Sequence, residues 1–133
     1  MATSAQIKRF LENWHDEIES AYLYRSLAKA ESQPALAEVY RRLAQTEEDY
    51  ARVWEDKLIE AGHRVPQRQI GWRTRMLAIL AKQFGAQFVL PTVNAMEQVD
   101  SHNYDQQPEA QATPLAREEC SHARRLQICL CLF

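Results

Sequence analysis

The chain has 133 residues, 26% of them charged, a formal net charge of −2 and only three glycines. Its length suits one domain with a core of its own, and its near-neutral balance gives no general pull towards nucleic acid or membrane, so no nucleic-acid partner is expected. Its three cysteines, Cys120, Cys129 and Cys131, are odd in number and bunched at one end. That pattern is unlike a secreted disulfide framework and contains no CxxC zinc motif.

The abundance of Ala, Leu, Glu, Arg and Gln favours helix, and strand signals are nearly absent. The first helix is expected from about Thr3 to Ala30. Thr3 and Gln6 have the spacing of a capping box, and Ile7, Phe10, Trp14, Ala21, Tyr24 and Ala28 form its apolar stripe. The second begins near Pro34, a residue suited to a first helical position, and ends at Gly62. Leu36, Tyr40, Leu43, Trp54 and Leu58 make its stripe. A basic connector follows, with Arg64, Arg68, Arg73 and Arg75. It is expected to be a solvated loop or, beside a membrane, a face for anionic lipid. The third stretch covers about Trp72 to Tyr104. Gly85 and Pro91 interrupt it, which predicts either a short helix before a longer one or a kink at Pro91. Thr113 and Pro114 read as N-cap and first residue of a last helix. Together these predict an all-α fold, an up-down four-helix bundle in a single domain over residues 1–133, with 127–133 as an apolar tail. No basic segment followed by an apolar run opens the chain, so no secretory signal is expected. No run approaches the ~20 apolar residues that span a bilayer, and a cytoplasmic setting is the expectation.

Every stripe is interrupted by acid. On the first helix the run is Trp14, Glu17, Ala21, Tyr24; on the second it is Leu43, Glu47, Tyr50, Trp54. On the third it is Val93, Glu97, Asp100, Tyr104, and on the last Leu115, Glu119, His122, Leu126. Steps of three and four keep these acids on the apolar face, whereas Glu48 is turned ~100° from Glu47. A single acid on such a stripe is usually a helix end. Five together are costly to bury as ions, and no lysine or arginine shares their stripes. Two divalent metals would offset that charge and suit hard oxygen ligands. A weak repeat runs in parallel: each helical hairpin offers acid on its first helix, then Glu-x-x-Tyr (Glu47, Tyr50) or Glu-x-x-His (Glu119, His122) on its second. Di-iron carboxylate bundles use a related scheme.

The segments DEIESAYLYRSLAKAE (16–31), LAEVYRRLAQTEEDYARVWEDKL (36–58), FVLPTVNAMEQVDSHNYD (88–105) and EECSHARRL (118–126) resemble the rubrerythrin-like branch of the ferritin-like superfamily. They look most like the domain in front of vacuolar-iron-transporter-type membrane proteins. The resemblance implies a site for two iron ions, or manganese, with Glu17, Glu47, Glu97, Asp100, Glu119 and His122 as ligands. It also implies dioxygen or peroxide as reactant, a homodimer, and an attached membrane transporter domain at the cytoplasmic face of a membrane. The activity expected on that basis is iron binding with ferroxidase chemistry, serving iron capture, sensing or transport.

Three features depart from the family's pattern. Tyr50 stands where a histidine is expected, and is either a ligand or a hydrogen-bond donor beside the site. No cysteine-ligated rubredoxin module is present, and the tail LQICLCLF is too short to span a bilayer. Two rival readings remain: a metal-free helical interaction or dimerisation module whose site has decayed, and a rubrerythrin-type peroxidase. His15 and His102 lie ~200° from the nearest proposed ligand and are expected at the surface. His63 reads as part of a helix C-cap, and Cys120 lies off the interior stripe.

Overall fold

The structure is a computed structural model that describes residues 2–105, with side chains described through Val99. Among these residues it is all-helical. It has four helices, α1 (Ser4–Ala30), α2 (Pro34–Glu60), α3 (Trp72–Phe84) and α4 (Ala86–Asp105), and no strand. The expected last helix, with Glu119 and His122, lies outside the described residues, as does the tail 127–133.

The helix ends follow local chemistry. The Thr3 hydroxyl accepts the Gln6 N–H at 3.2 Å, and the Gln6 side chain accepts the Thr3 N–H at 2.8 Å. This capping box satisfies two donors that the first turn would otherwise leave open. Pro34 opens α2 as expected. At its end Gly62 takes φ +74, the Gly62 N–H donates to the Ile59 carbonyl, and the His63 N–H donates to the Leu58 carbonyl. That is a Schellman stop, which needs left-handed backbone at the glycine.

The third stretch is two helices. Gly85 breaks it with φ +94, closing α3 through its N–H to the Ala81 carbonyl at 2.8 Å. Pro91 lies inside α4 and does not end it. The proline removes one backbone bond, whereas left-handed backbone at Gly85 redirects the chain outright.

α1 and α2 pair along their lengths, and α3 and α4 pack against α1. The buried apolar residues form two clusters. One joins Leu23, Tyr24 and Leu27 of α1 to Tyr40 and Leu43 of α2, Ala81 of α3, and Val89, Leu90 and Val93 of α4. The other joins Phe10, Trp14 and Ile18 of α1 to Tyr50, Ala51, Trp54 and Leu58 of α2. Their order along α1 is the reverse of their order along α2, so the two helices run antiparallel. Phe10 stacks on Trp54 with ring centroids 5.8 Å apart, a favourable offset arrangement. No helix among the described residues is long and apolar enough to cross a membrane.

Candidate metal centre

Glu17, Glu47 and Glu97 are buried, with 2%, 1% and 2% of their surface exposed. They come from α1, α2 and α4. Glu17 precedes the first-cluster residues Leu23 and Tyr24 on its helix; Glu47 falls between Ala44 of that cluster and Tyr50 of the other. Glu97 follows Val93, one turn beyond the first cluster. Of the three, only Glu47 falls between the two clusters along its helix; Glu17 stands between Trp14 and Ile18 of the second cluster. Their helical facing agrees with the expectation from spacing, and no lysine or arginine is buried among the described residues.

Glu97 is held by a tyrosine. The Tyr24 hydroxyl donates to Glu97 Oε1 at 2.6 Å across the α1–α4 interface, a short buried bond to a carboxylate. Tyr24 read from sequence as a core residue; its role as donor depends on α4 crossing α1 at this height. Tyr50 is buried and packs in the aromatic cluster with Trp54 and Phe10. Asp100 lies on α4 but its side chain is outside the described set, together with Glu119 and His122. Among the described residues, no three His, Cys, Asp or Glu side chains come close enough to hold a metal ion. The donor type fits a hard metal, and a complete site would need the remaining three ligands.

No family model, curated protein or solved structure matches the chain.

A fourth buried glutamate has a different environment. Glu48, off the interior stripe as spacing indicates, is nevertheless buried at the α1–α2 surface. It accepts hydrogen bonds from Arg25 of α1 at 3.0 Å and from Arg68 of the connector at 3.0 Å. Burial pushes its carboxyl up, and the bonds from Arg68 and Arg25 outweigh that and hold it below the ordinary carboxylate range. Arg68 also reaches Glu55 at 3.2 Å, and Glu55 accepts the Trp14 indole N–H at 3.0 Å. The connector is thus not simply a solvated basic loop. Arg68 latches it to two acids seven residues apart on one face of α2, while Arg73 and Arg75 belong to α3. The seven-residue spacing of Glu48 and Glu55 was readable in sequence; the arginine that would reach them was not.

Two further polar contacts position α3. Glu19 of α1 accepts the Gly71 N–H at 2.7 Å and the Thr74 hydroxyl, so a side chain from another helix caps the α3 N-terminus. A carboxylate there also meets the positive end of the helix dipole. His15 lies 3.3 Å from the same carboxylate on the exposed face, consistent with its expected surface position. Asp16 lines a groove of about 680 Å³ between α1, α3 and α4. Its surface is open to solvent, yet desolvation by the surrounding protein raises its carboxyl to about 6; Glu12 and Glu19 add to this and His15 opposes it.

Proposed function

We propose that the chain binds iron or manganese at a carboxylate-rich di-metal site inside a ferritin-like four-helix bundle. Glu17, Glu47 and Glu97 serve as ligands together with Asp100, Glu119 and His122. The supporting observation is the burial of three glutamates, from three helices, beside the two apolar clusters. Ionised carboxylates in such a place are strongly disfavoured without cationic charge, and divalent metals supply it with oxygen-loving chemistry. Bound iron would supply one-electron chemistry towards dioxygen or peroxide. Glu17 and Glu47 would present oxygen donors from facing antiparallel helices. Tyr24 would fix the rotamer of Glu97 by holding one of its oxygens. The aromatic cluster of Phe10, Trp14, Tyr50 and Trp54 would keep water from one side. Ferrous iron oxidation, in service of iron capture or transport, is the activity that follows from this reading.

A second reading, a metal-free helical interaction module, draws on the separation of the described acids, which do not by themselves form a metal-holding group. One experiment separates the two. Metal-free full-length protein is titrated with ferrous iron under argon, or with manganese, and followed by melting temperature and by metal bound per chain. The metal reading expects saturable uptake and a rise in melting temperature, because a ligand bound only by the native state stabilises it. Glu47→Gln should abolish the rise, and exposed Glu12→Gln should retain it. An unchanged melting curve at millimolar metal would support the metal-free module. Tyr50→Phe then tests the tyrosine: a coloured iron(III) form that bleaches in this variant would put the phenolate on the metal.

A further inference from the structure

Residues 61–96 contain five Lys and Arg and no acid, while all 18 acids of the chain lie elsewhere with the other 11 cations. α3 lies within this run and carries apolar residues on two faces; Leu77 and Leu80 pack, half-buried, against the first cluster. Its fully buried positions carry small side chains, Thr74 and Ala81. Opposite them, at helical spacing, stand Trp72, Met76 and Ile79, all exposed. Phe84 and Phe88 extend the apolar surface across the α3–α4 junction, their rings 5.0 Å apart. At 100° per residue, Arg75 and Lys82 fall on one flank of the Trp72–Met76–Ile79 stripe and Arg73 on the other. Arg73 stacks over the Trp72 ring at 5.5 Å. An outward apolar stripe bordered by cations on both sides is the arrangement of a helix lying in a membrane interface. There the rings and methyls enter the acyl boundary and the long cationic stems reach up to headgroups.

We propose that α3 docks this chain onto an anionic lipid surface, with Trp72, Met76 and Ile79 inserted and Arg73, Arg75 and Lys82 on the headgroups. Charge complementarity selects this occupant. A second copy paired through the same face would set three cations against three, with acid, Asp16 and Glu19, only at its Trp72 end. Residues 106–133 carry three acids and three cations and so offer no net negative charge to the patch. Anionic headgroups attract each cation near the surface and leave the apolar stripe somewhere to go. The surface is separate from the buried glutamates, so vesicle binding and metal uptake can fail independently.

The test uses the full chain with vesicles of phosphatidylcholine alone and of two parts phosphatidylcholine to one part phosphatidylserine, followed by co-sedimentation and tryptophan emission. Trp14 and Trp54 are 3% and 0% exposed against 67% for Trp72, so a blue shift on binding reports Trp72. The expected result is binding and a blue shift with the anionic vesicles, weakened by salt and much weaker on neutral ones. Arg75→Ala should lower the affinity about fivefold, since each surface cation contributes a factor of that order. Ile79→Glu should remove the blue shift while leaving the helical signal intact. Equal binding to neutral vesicles, or none to either, overturns the proposal. So does an emission already blue and shielded from acrylamide in the free protein, which would mean that residues 106–133 cover the stripe. A dimer split by Met76→Glu without vesicle binding would assign the face to a second copy instead.

Discussion

On α1 and α2 the tryptophans turn inwards: Trp14 donates to Glu55 at the cluster edge, and Trp54 stacks on Phe10. On α3 Trp72 turns to solvent, and the core side of the helix carries Thr74 and Ala81 with Leu77 and Leu80 half-buried beside them. The hairpin is stabilised by burying its large apolar groups. α3 buries two small side chains and half-buries two leucines, so its place depends more on polar ties: Glu19 at its N-terminus and Arg68 in the segment leading to it. Size and polarity of a side chain therefore do not decide its side of a helix; the neighbour available to cover it does.

The sharpest test of this contrast pairs two tryptophan deletions. Trp54→Ala removes a fully buried ring and should cost about 3–5 kcal/mol in chemical denaturation. Trp72→Ala should change stability by no more than about 0.5 kcal/mol, as expected for a surface substitution. Equal losses would erase the distinction between hairpin and α3.

The connector latch comes next. Arg68→Ala takes charge-assisted bonds from buried Glu48 and should cost about 1.5–3 kcal/mol at neutral pH. The Glu48 carboxyl is held below its ordinary value of 4.5 in the folded protein. Its contribution is therefore fully present above that value and lost as pH falls through the lower folded value. The gap between wild type and Arg68→Ala should shrink in denaturation curves taken below pH 4.5, and a gap constant with pH would mean that Arg68 acts through packing alone.

Glu19→Ala removes the cap on α3 and should cost about 1 kcal/mol, the usual worth of an N-cap. Hydrogen exchange should localise the loss to the first turn of α3, leaving α1 and α2 protected. A global loss of protection would show that α3 and the hairpin unfold as one unit.

The smallest effect concerns Asp16. Its carboxyl is raised to about 6 from 3.8, so the folded protein holds this proton more tightly than the unfolded chain. The resulting penalty is complete above pH 6 and fades as pH falls towards 3.8. Asp16→Asn should be more stable than wild type above pH 6, with the advantage vanishing below pH 4. A carboxyl carbon titration with its midpoint near 4 would refute the raised value.

Much of the interior was readable from periodicity. The steps Trp14–Glu17–Ala21–Tyr24 and Leu43–Glu47–Tyr50–Trp54 put each residue on the buried face, because a straight helix fixes direction every three to four residues. The break at Gly85 was also visible, though not the choice between it and Pro91, which rests on how much each distorts the backbone. The inward period is incomplete on α3, where Leu77 and Leu80 pack against the core but Trp72, Met76 and Ile79 recur at helical spacing and face outwards. Periodicity reports that a helix has two faces and is silent on which one finds a partner. Tyr24 and Glu97, 73 residues apart, are joined by no local signal at all.

Sequence alone determined the all-α character, the caps at Thr3 and Gly62, and the presence of acids on the inner faces of α1, α2 and α4, because these depend on backbone preference and helical pitch. The tertiary structure decided which acids have which partners. It set Glu97 against Tyr24, gave Glu48 to Arg25 and Arg68, and gave Glu19 to the start of α3. Those pairings depend on the rotation and crossing height of packed helices, which short-range chemistry does not specify and which burying the two apolar clusters does.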